Sequence, residues 1–130
     1  MNIIFDLDGT LIDSAPDIQS VASTVLEKLG ENGLTLDETR SFIGEGSAVF
    51  VRRMMNARGI EEAQHTHTAV HEDFIAQYEF SVDKAEFYPG VIATLTALKA
   101  DGHSLGLCTN KPELPARAVI RHMGMDSFFD

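Results

Sequence analysis

Two aspartates stand two positions apart at the end of an apolar run, Asp6 and Asp8 in NIIFDLDGT, with Gly9 and Thr10 directly behind them. A single carboxylate after a strand reads as a turn or a helix cap. Two on an extended backbone point the same way, and a turn at Gly9 can re-aim the second. A carboxylate held ionised beside a hard cation such as Mg2+ can attack phosphorus as a nucleophile. A second carboxyl nearby can give a proton to the leaving alkoxide and then take one from water. Gly9 lets the backbone approach a ligand, and the amides after it, Thr10 included, can donate to phosphate oxygens. A second polar cluster, Thr109 and Asn110 in SLGLCTNK, adds a hydroxyl and amide donors for a transferring phosphoryl group. Together these residues suit in-line phosphoryl transfer.

Both clusters need strands to hold them. Residues 2–7 read as a buried strand that ends in a polar loop, and residues 104–110 contain a second short apolar strand with the same ending. Asp13 or Ser14 can cap the helix that follows, with Pro16 in its first turn. Ile18, Val21, Ala22, Val25, Leu26 and Leu29 recur at helical spacing up to Gly30. A short helix is expected from about Leu36, another between Gly46 and Gly59, and a long polar one over residues 61–81. The turn FYPG at 87–90 marks a boundary. A helix through Val91, Leu95 and Leu98 then stops at Gly102, and a last one runs from about Pro112 to Met123. Strands of this kind belong in a parallel α/β sheet, whose sites form beyond the carboxyl ends of the strands. The expected architecture is a Rossmann-like α/β core, residues 1–14 and 86–130, with a helical module inserted over residues 15–85.

The motif FDLDGTLIDS resembles the first motif of the haloacid dehalogenase-like superfamily, and LCTNK resembles its second. The segments DSAPDI, FYPGV and TNKP look most like phosphoglycolate phosphatases with a helical cap. The resemblance implies that Asp6 is the nucleophile and a Mg2+ ligand. It implies that Asp8 is the general acid/base and lends its backbone carbonyl to the metal, with Thr109 as the phosphate-binding hydroxyl. Gly44, Glu45 and Gly46 fall where the substrate-selecting loop of the cap would be, with Arg52 and Arg53 just behind. The second aspartate favours an alkoxide leaving group over a halide, hence a phosphate ester. The substrate implied is a small phosphorylated metabolite, 2-phosphoglycolate above others. The rivals are a sugar phosphomutase of the same superfamily and an inactive binding or regulatory module. The family's later motifs, a lysine and further aspartates, are not in the sequence. That suggests a portion of a protein of roughly 200 residues or more, inactive as 130 residues. Lys111, next to the second motif, is not read as the missing lysine.

Composition narrows the alternatives. Twenty acidic side chains against ten Lys and Arg, a formal charge of -10, argue against a nucleic-acid surface. No stretch approaches the roughly 18 apolar residues of a membrane span. One cysteine, Cys108, excludes an intrachain disulfide; it reads as inert core, and the default compartment is cytoplasmic. A homodimer is left open. An EF-hand reading fails because Leu11 and Asp17 occupy the positions that need Gly and Glu. His65, His67 and His71 read as a solvated helix face, and Met54 and Met55 as packing. Arg52 and Arg53 are either hooks for an anion or plain surface charge.

Overall fold

In the computed structural model, which describes residues 1–130, β1 (Asn2–Phe5) leads through a tight loop into β2 (Ile12–Asp13). Four helices follow: α1 (Ala15–Lys28), α2 (Leu36–Phe42), α3 (Ser47–Ala57) and α4 (His67–Tyr78). The chain returns through β3 (Glu86–Phe87), α5 (Val91–Ala100), β4 (Ser104–Leu107), α6 (Glu113–His122) and a final 3-10 turn, Asp126–Phe128.

β1 and β4 pair in parallel, Asn2 opposite Ser104 and Phe5 opposite Leu107, with the intervening chain as the crossover. This is the Rossmann-type α/β arrangement expected from the alternation of elements. Both strands are shorter than expected, because their last polar residues belong to loops. Nor is β1 buried throughout. Its residues alternate between cover and solvent, Ile4 is 64% exposed, and full burial begins only at Leu7. The covered side packs on α6, where Ala116 and Val119 meet Leu7, Leu11, Ile12 and Met125. Cys108 lies just past β4 and is exposed, so it is not the core residue the longer strand implied.

The four helices build a second core of their own. The stripe Ile18, Val21, Ala22, Val25 and Leu26 on α1 is buried against Phe50, Val51, Met54 and Met55 of α3 and Val70 and Phe74 of α4. The Phe74 ring lies 5.3 Å from that of Phe50 and 5.4 Å from that of Tyr78. α2 starts with a capping box, in which Thr35 Oγ1 accepts from the Glu38 N–H and Glu38 accepts from the Thr35 N–H. α4 begins at His67 rather than residue 61. Thr66 caps it by accepting the Ala69 N–H at 3.2 Å, and the polar residues before it are exposed turns.

The two crossings between core and helical unit lie side by side. β2 and β3 pair antiparallel, Ile12 opposite Phe87 and Asp13 opposite Glu86. Asp17, buried in the first turn of α1, accepts the Lys84 N–H at 3.0 Å and ties the returning segment to the outgoing one. No helix is long and apolar enough to cross a membrane.

Candidate active site

The parallel register brings the two motifs together. With Phe5 level with Leu107, the Cys108 N–H still donates to the Phe5 carbonyl at 2.9 Å, and both chains then leave the sheet on the same side. The Asp6–Thr10 loop folds back on itself rather than running straight. The Leu7 carbonyl accepts from the N–H groups of Thr10, Leu11 and Ile12, and the Gly9 N–H donates to the Ile12 carbonyl at 2.9 Å. Gly9 sits at φ +80°, a region that an L side chain would strain, and that is the turn that re-aims Asp8.

Hydrogen bonding in this loop changes which amides can meet a ligand. Those of Gly9 and Thr10 are spent on the turn, and neither residue lines the cleft. The Leu7 N–H donates to Asp6 Oδ1 at 2.8 Å. Asp8 keeps both its own N–H and its carbonyl out of the backbone hydrogen-bond pattern. The N–H and carbonyl of Asp8, which does line the cleft, are therefore open to a ligand, one or two residues earlier than the sequence suggested.

Asp6, Asp8, Thr109, Asn110 and Lys111 from the core share a cleft with Gly44, Gly46, Ser47, Phe50, Phe74 and Tyr78 from the helical unit. Asp6 is exposed to it, with one carboxylate oxygen free of protein partners. Asp8 is largely covered, and both its oxygens are engaged. The Ser14 hydroxyl donates to Oδ1, so Ser14 does not cap α1 with its side chain; Asp13 Oδ1 accepts the Ala15 N–H instead, at 3.3 Å. Lys111 Nζ lies 3.3 and 3.4 Å from the two Asp8 oxygens.

Lys111 is the cation the sequence reading passed over. Only 2% of its side chain is exposed, and it is the one basic residue in the cleft wall. Its ammonium also donates to the Tyr78 hydroxyl and lies 4.2 Å from the centre of that ring. Burial pushes the Lys111 ammonium down from its ordinary range, and the Asp8 carboxylate opposes that fall. Burial, then the Asp8 and Asp17 carboxylates, hold the Tyr78 hydroxyl well above its ordinary range, so it stays a neutral phenol.

Asn110 Nδ2 donates to the Gly44 carbonyl at 3.0 Å, and Thr109 Oγ1 accepts the Lys111 N–H at 3.1 Å. Gly46 has φ +92°; a β-carbon there would sit in ordinary contact, 3.5 Å from the Asn110 carbonyl, so backbone angle rather than space calls for glycine. Glu45 does not line the cleft but pairs with Arg53 at 2.6 Å, outside it. Arg52 is exposed on α3 and does not line the cleft either. His67 and His71 are packing contacts rather than a solvated pair. Their rings stack, His67 Nε2 bonds the Ala48 carbonyl, and His71 Nε2 bonds Ser47 Oγ, each at 2.8 Å.

Residues 3–130 match the family model described as haloacid dehalogenase-like hydrolase. The chain belongs to that family. A phosphoglycolate phosphatase of Rhodobacter capsulatus is 42% identical over 127 residues, covering 98% of this chain and 58% of that protein. One from Cereibacter sphaeroides is 36% identical over 129 residues, covering 98% and 59%. This chain therefore spans less than two thirds of the length of these relatives. Among solved structures, a predicted phosphoglycolate phosphatase from Haemophilus somnus superposes with a TM-score of 0.89 at 28% identity, over 98% of this chain and 59% of that one. Protein tyrosine kinase A of Mycobacterium tuberculosis superposes at 0.76, also 28% identical, over 99% and 57%. Family membership agrees with a DxDGT loop at the end of the first strand. The tyrosine kinase shows that the fold alone does not decide the reaction.

The oxygen donors available fit the Mg2+ that the resemblance implies. One free Asp6 carboxylate oxygen and the unbonded Asp8 carbonyl are hard ligands, and Mg2+ is commonly held by one or two carboxylates with water and substrate phosphate completing its shell. The Asp8 carboxylate itself, occupied by Ser14 and Lys111, is not a free ligand. No cluster of three His, Cys, Asp or Glu side chains forms a metal site of another kind.

Proposed function

We propose that this chain carries the nucleophile, the proton-transfer group and part of the phosphate cradle of a Mg2+-dependent phosphomonoester hydrolase. The best substrate is a small one, 2-phosphoglycolate. The observation that carries the reading is the division of the two aspartates. Asp6 faces the cleft with an oxygen free to attack, whereas Asp8 is covered and held from two sides. A nucleophile needs an open approach, and a proton donor needs a fixed position beside the leaving oxygen.

In this reading Asp6 attacks phosphorus in line, and the phosphoryl group moves to its carboxylate as an aspartyl-phosphate. Asp8 enters the step in its protonated form and gives that proton to the departing alkoxide; the carboxylate so formed, held by Lys111 and Ser14, then takes a proton from the water that cleaves the acyl phosphate. The Thr109 hydroxyl and the Asp8 N–H donate to the phosphoryl oxygens. Asp6 and the Asp8 carbonyl would hold Mg2+, which would supply charge neutralisation for the transferring group. Residues 15–85 act as a cap, with Gly44, Gly46 and Ser47 facing the substrate from above, and its docking excludes water from the first step. Glu45 and Arg52 stay outside the cleft in this reading. The exposed thiol of Cys108 suits a reducing compartment, which the cytoplasm provides.

The test is phosphate release from 2-phosphoglycolate by the protein at its full length. Turnover should require Mg2+, vanish with EDTA and return when Mg2+ is restored. Asp6→Asn should abolish it with the circular dichroism spectrum unchanged, and an acid quench of the parent should trap phosphate on Asp6. Turnover by Asp6→Asn refutes the nucleophile. Transfer between sugar hydroxyls without phosphate release would make the protein a mutase.

A further inference from the structure

Three consecutive residues after β4 have diverging partners. Thr109 faces the cleft, Asn110 reaches the Gly44 carbonyl, and Lys111 reaches Tyr78 and Asp8 at once. Gly44 and Tyr78 belong to different parts of the helical unit, the α2–α3 loop and the end of α4. The Asp8 contacts of Lys111 and Ser14 lie within the core and at its exit. Lys111 is thus the side chain that touches a residue of the chemistry and a residue of the helical unit through the same atom.

We infer that Lys111 is a positioning residue, a buried bolt through which Tyr78 of the docked helical unit fixes the orientation of the Asp8 carboxylate. The inference rests on the reading of Asp8 as the proton-transfer group. Its physical content is geometric. An ammonium has three donors and no preferred plane. Two of its directions are used by Asp8 and the Tyr78 hydroxyl, while the Tyr78 ring closes over it. With Tyr78 in place, Nζ has one position, and the carboxylate paired with it is held in one rotamer together with Ser14. With the helical unit lifted away, the same lysine is freed on a flexible stem and the constraint from that side is lost. Docking of the helical unit and alignment of the proton-transfer group become one event.

The Lys111 ammonium is committed to Asp8 and Tyr78, and the role proposed for it differs from that of an anion hook. A hook would show itself in KM, whereas a misaligned proton donor shows itself in kcat. Misplacement of a reacting group by about 1 Å can lower the rate by about a hundredfold.

The experiment compares Lys111→Met, Tyr78→Phe and the double variant in the protein at its full length. Tyr78→Phe keeps the ring and the packing while removing the hydroxyl. Each single change should lower kcat, by up to about a hundredfold for Lys111→Met, with KM within about threefold of the parent. The double variant should be no slower than the worse single one, because both remove the same link. A KM rise with kcat retained would overturn the proposal, and so would effects that multiply in the double variant. A second readout does not depend on turnover, so it decides even where the parent hydrolyses no phosphomonoester and the proposed function fails. In amide-resolved NMR, Tyr78→Phe should displace the Asp8 resonance when Lys111 is present and leave it in place in the Lys111→Met background. Equal displacement in both backgrounds, or none in either, overturns the link.

Discussion

Neutralising Glu38 should weaken the helical unit at neutral pH and matter progressively less in acid. Arg58, at the end of α3, clasps both Glu38 oxygens at 2.8 Å and also donates to the Gly33 carbonyl at 2.7 Å and the Asn32 carbonyl at 3.1 Å. One guanidinium thereby joins α3, the first turn of α2 and the loop between α1 and α2. The Arg58 hydrogen bonds, helped by the Thr35 N–H, pull the Glu38 carboxyl from its usual 4.5 down to about 2. Taken whole, that fall would be worth about 3 kcal/mol of stabilisation. The Glu38 side chain is 30% exposed and that of Arg58 17%, so solvent screening reduces the figure to about 1–2 kcal/mol. Because the folded value is the depressed one, the stabilisation is complete above pH 4.5 and is lost as pH falls from there towards 2. Urea unfolding of the parent and of Glu38→Gln, measured from pH 7 to pH 3, checks this. The expected gap of about 1–2 kcal/mol at pH 7 should narrow to less than half near pH 3. A gap that is absent at pH 7, or constant down to pH 3, refutes the reasoning.

Two more substitutions test the frame around the cleft. Gly46→Ala places a side chain at φ +92° and should cost about 1–2 kcal/mol in thermal or urea unfolding, while loosening the loop that Asn110 holds. Asp17→Asn should raise the melting temperature at pH 7 and change it little in acid. Burial holds the Asp17 carboxyl above its ordinary value and one oxygen has no partner, so the folded state is penalised only as the group ionises with rising pH. A lower melting temperature at pH 7 would mean that the charge of Asp17 is needed by its neighbours.

How far the sequence reading reached follows the range of the interactions involved. The meeting of Asp6, Asp8 and Thr109 at one cleft was legible because each sits in a short motif at the end of one of two strands that pair in parallel. The helices were legible from their periodicity, except where a cap decided the start. Thr66 ends the exposed turn and begins α4, yet Thr within a polar stretch resembles any other surface residue. Burial of β1 was misjudged because its composition does not reveal which of its faces another element covers; Ile4 is as apolar as Leu7 and remains in solvent. Lys111 was missed for a different reason. Its partners Asp8 and Tyr78 lie 103 and 33 positions away, so nothing near it distinguishes a buried lysine from an exposed one. The available signal was its position, directly after the second motif, opposite two carboxylates.

That position also explains why three successive residues can serve three purposes. In a strand, neighbouring side chains alternate between faces, and a chain that turns off the end of β4 fans Thr109, Asn110 and Lys111 in different directions. The fan is useful only because parallel pairing sets Leu107 level with Phe5, so that it opens beside Asp6 and Asp8. A slip of one residue in that pairing would reverse the facing of every side chain on β4. It would carry Lys111 away from Asp8 and detach Asn110 from Gly44 together. The register is therefore as much a part of the site as the side chains. Leu105, fully buried, and Leu107, packed against the core beside α6, support that register without lining the cleft.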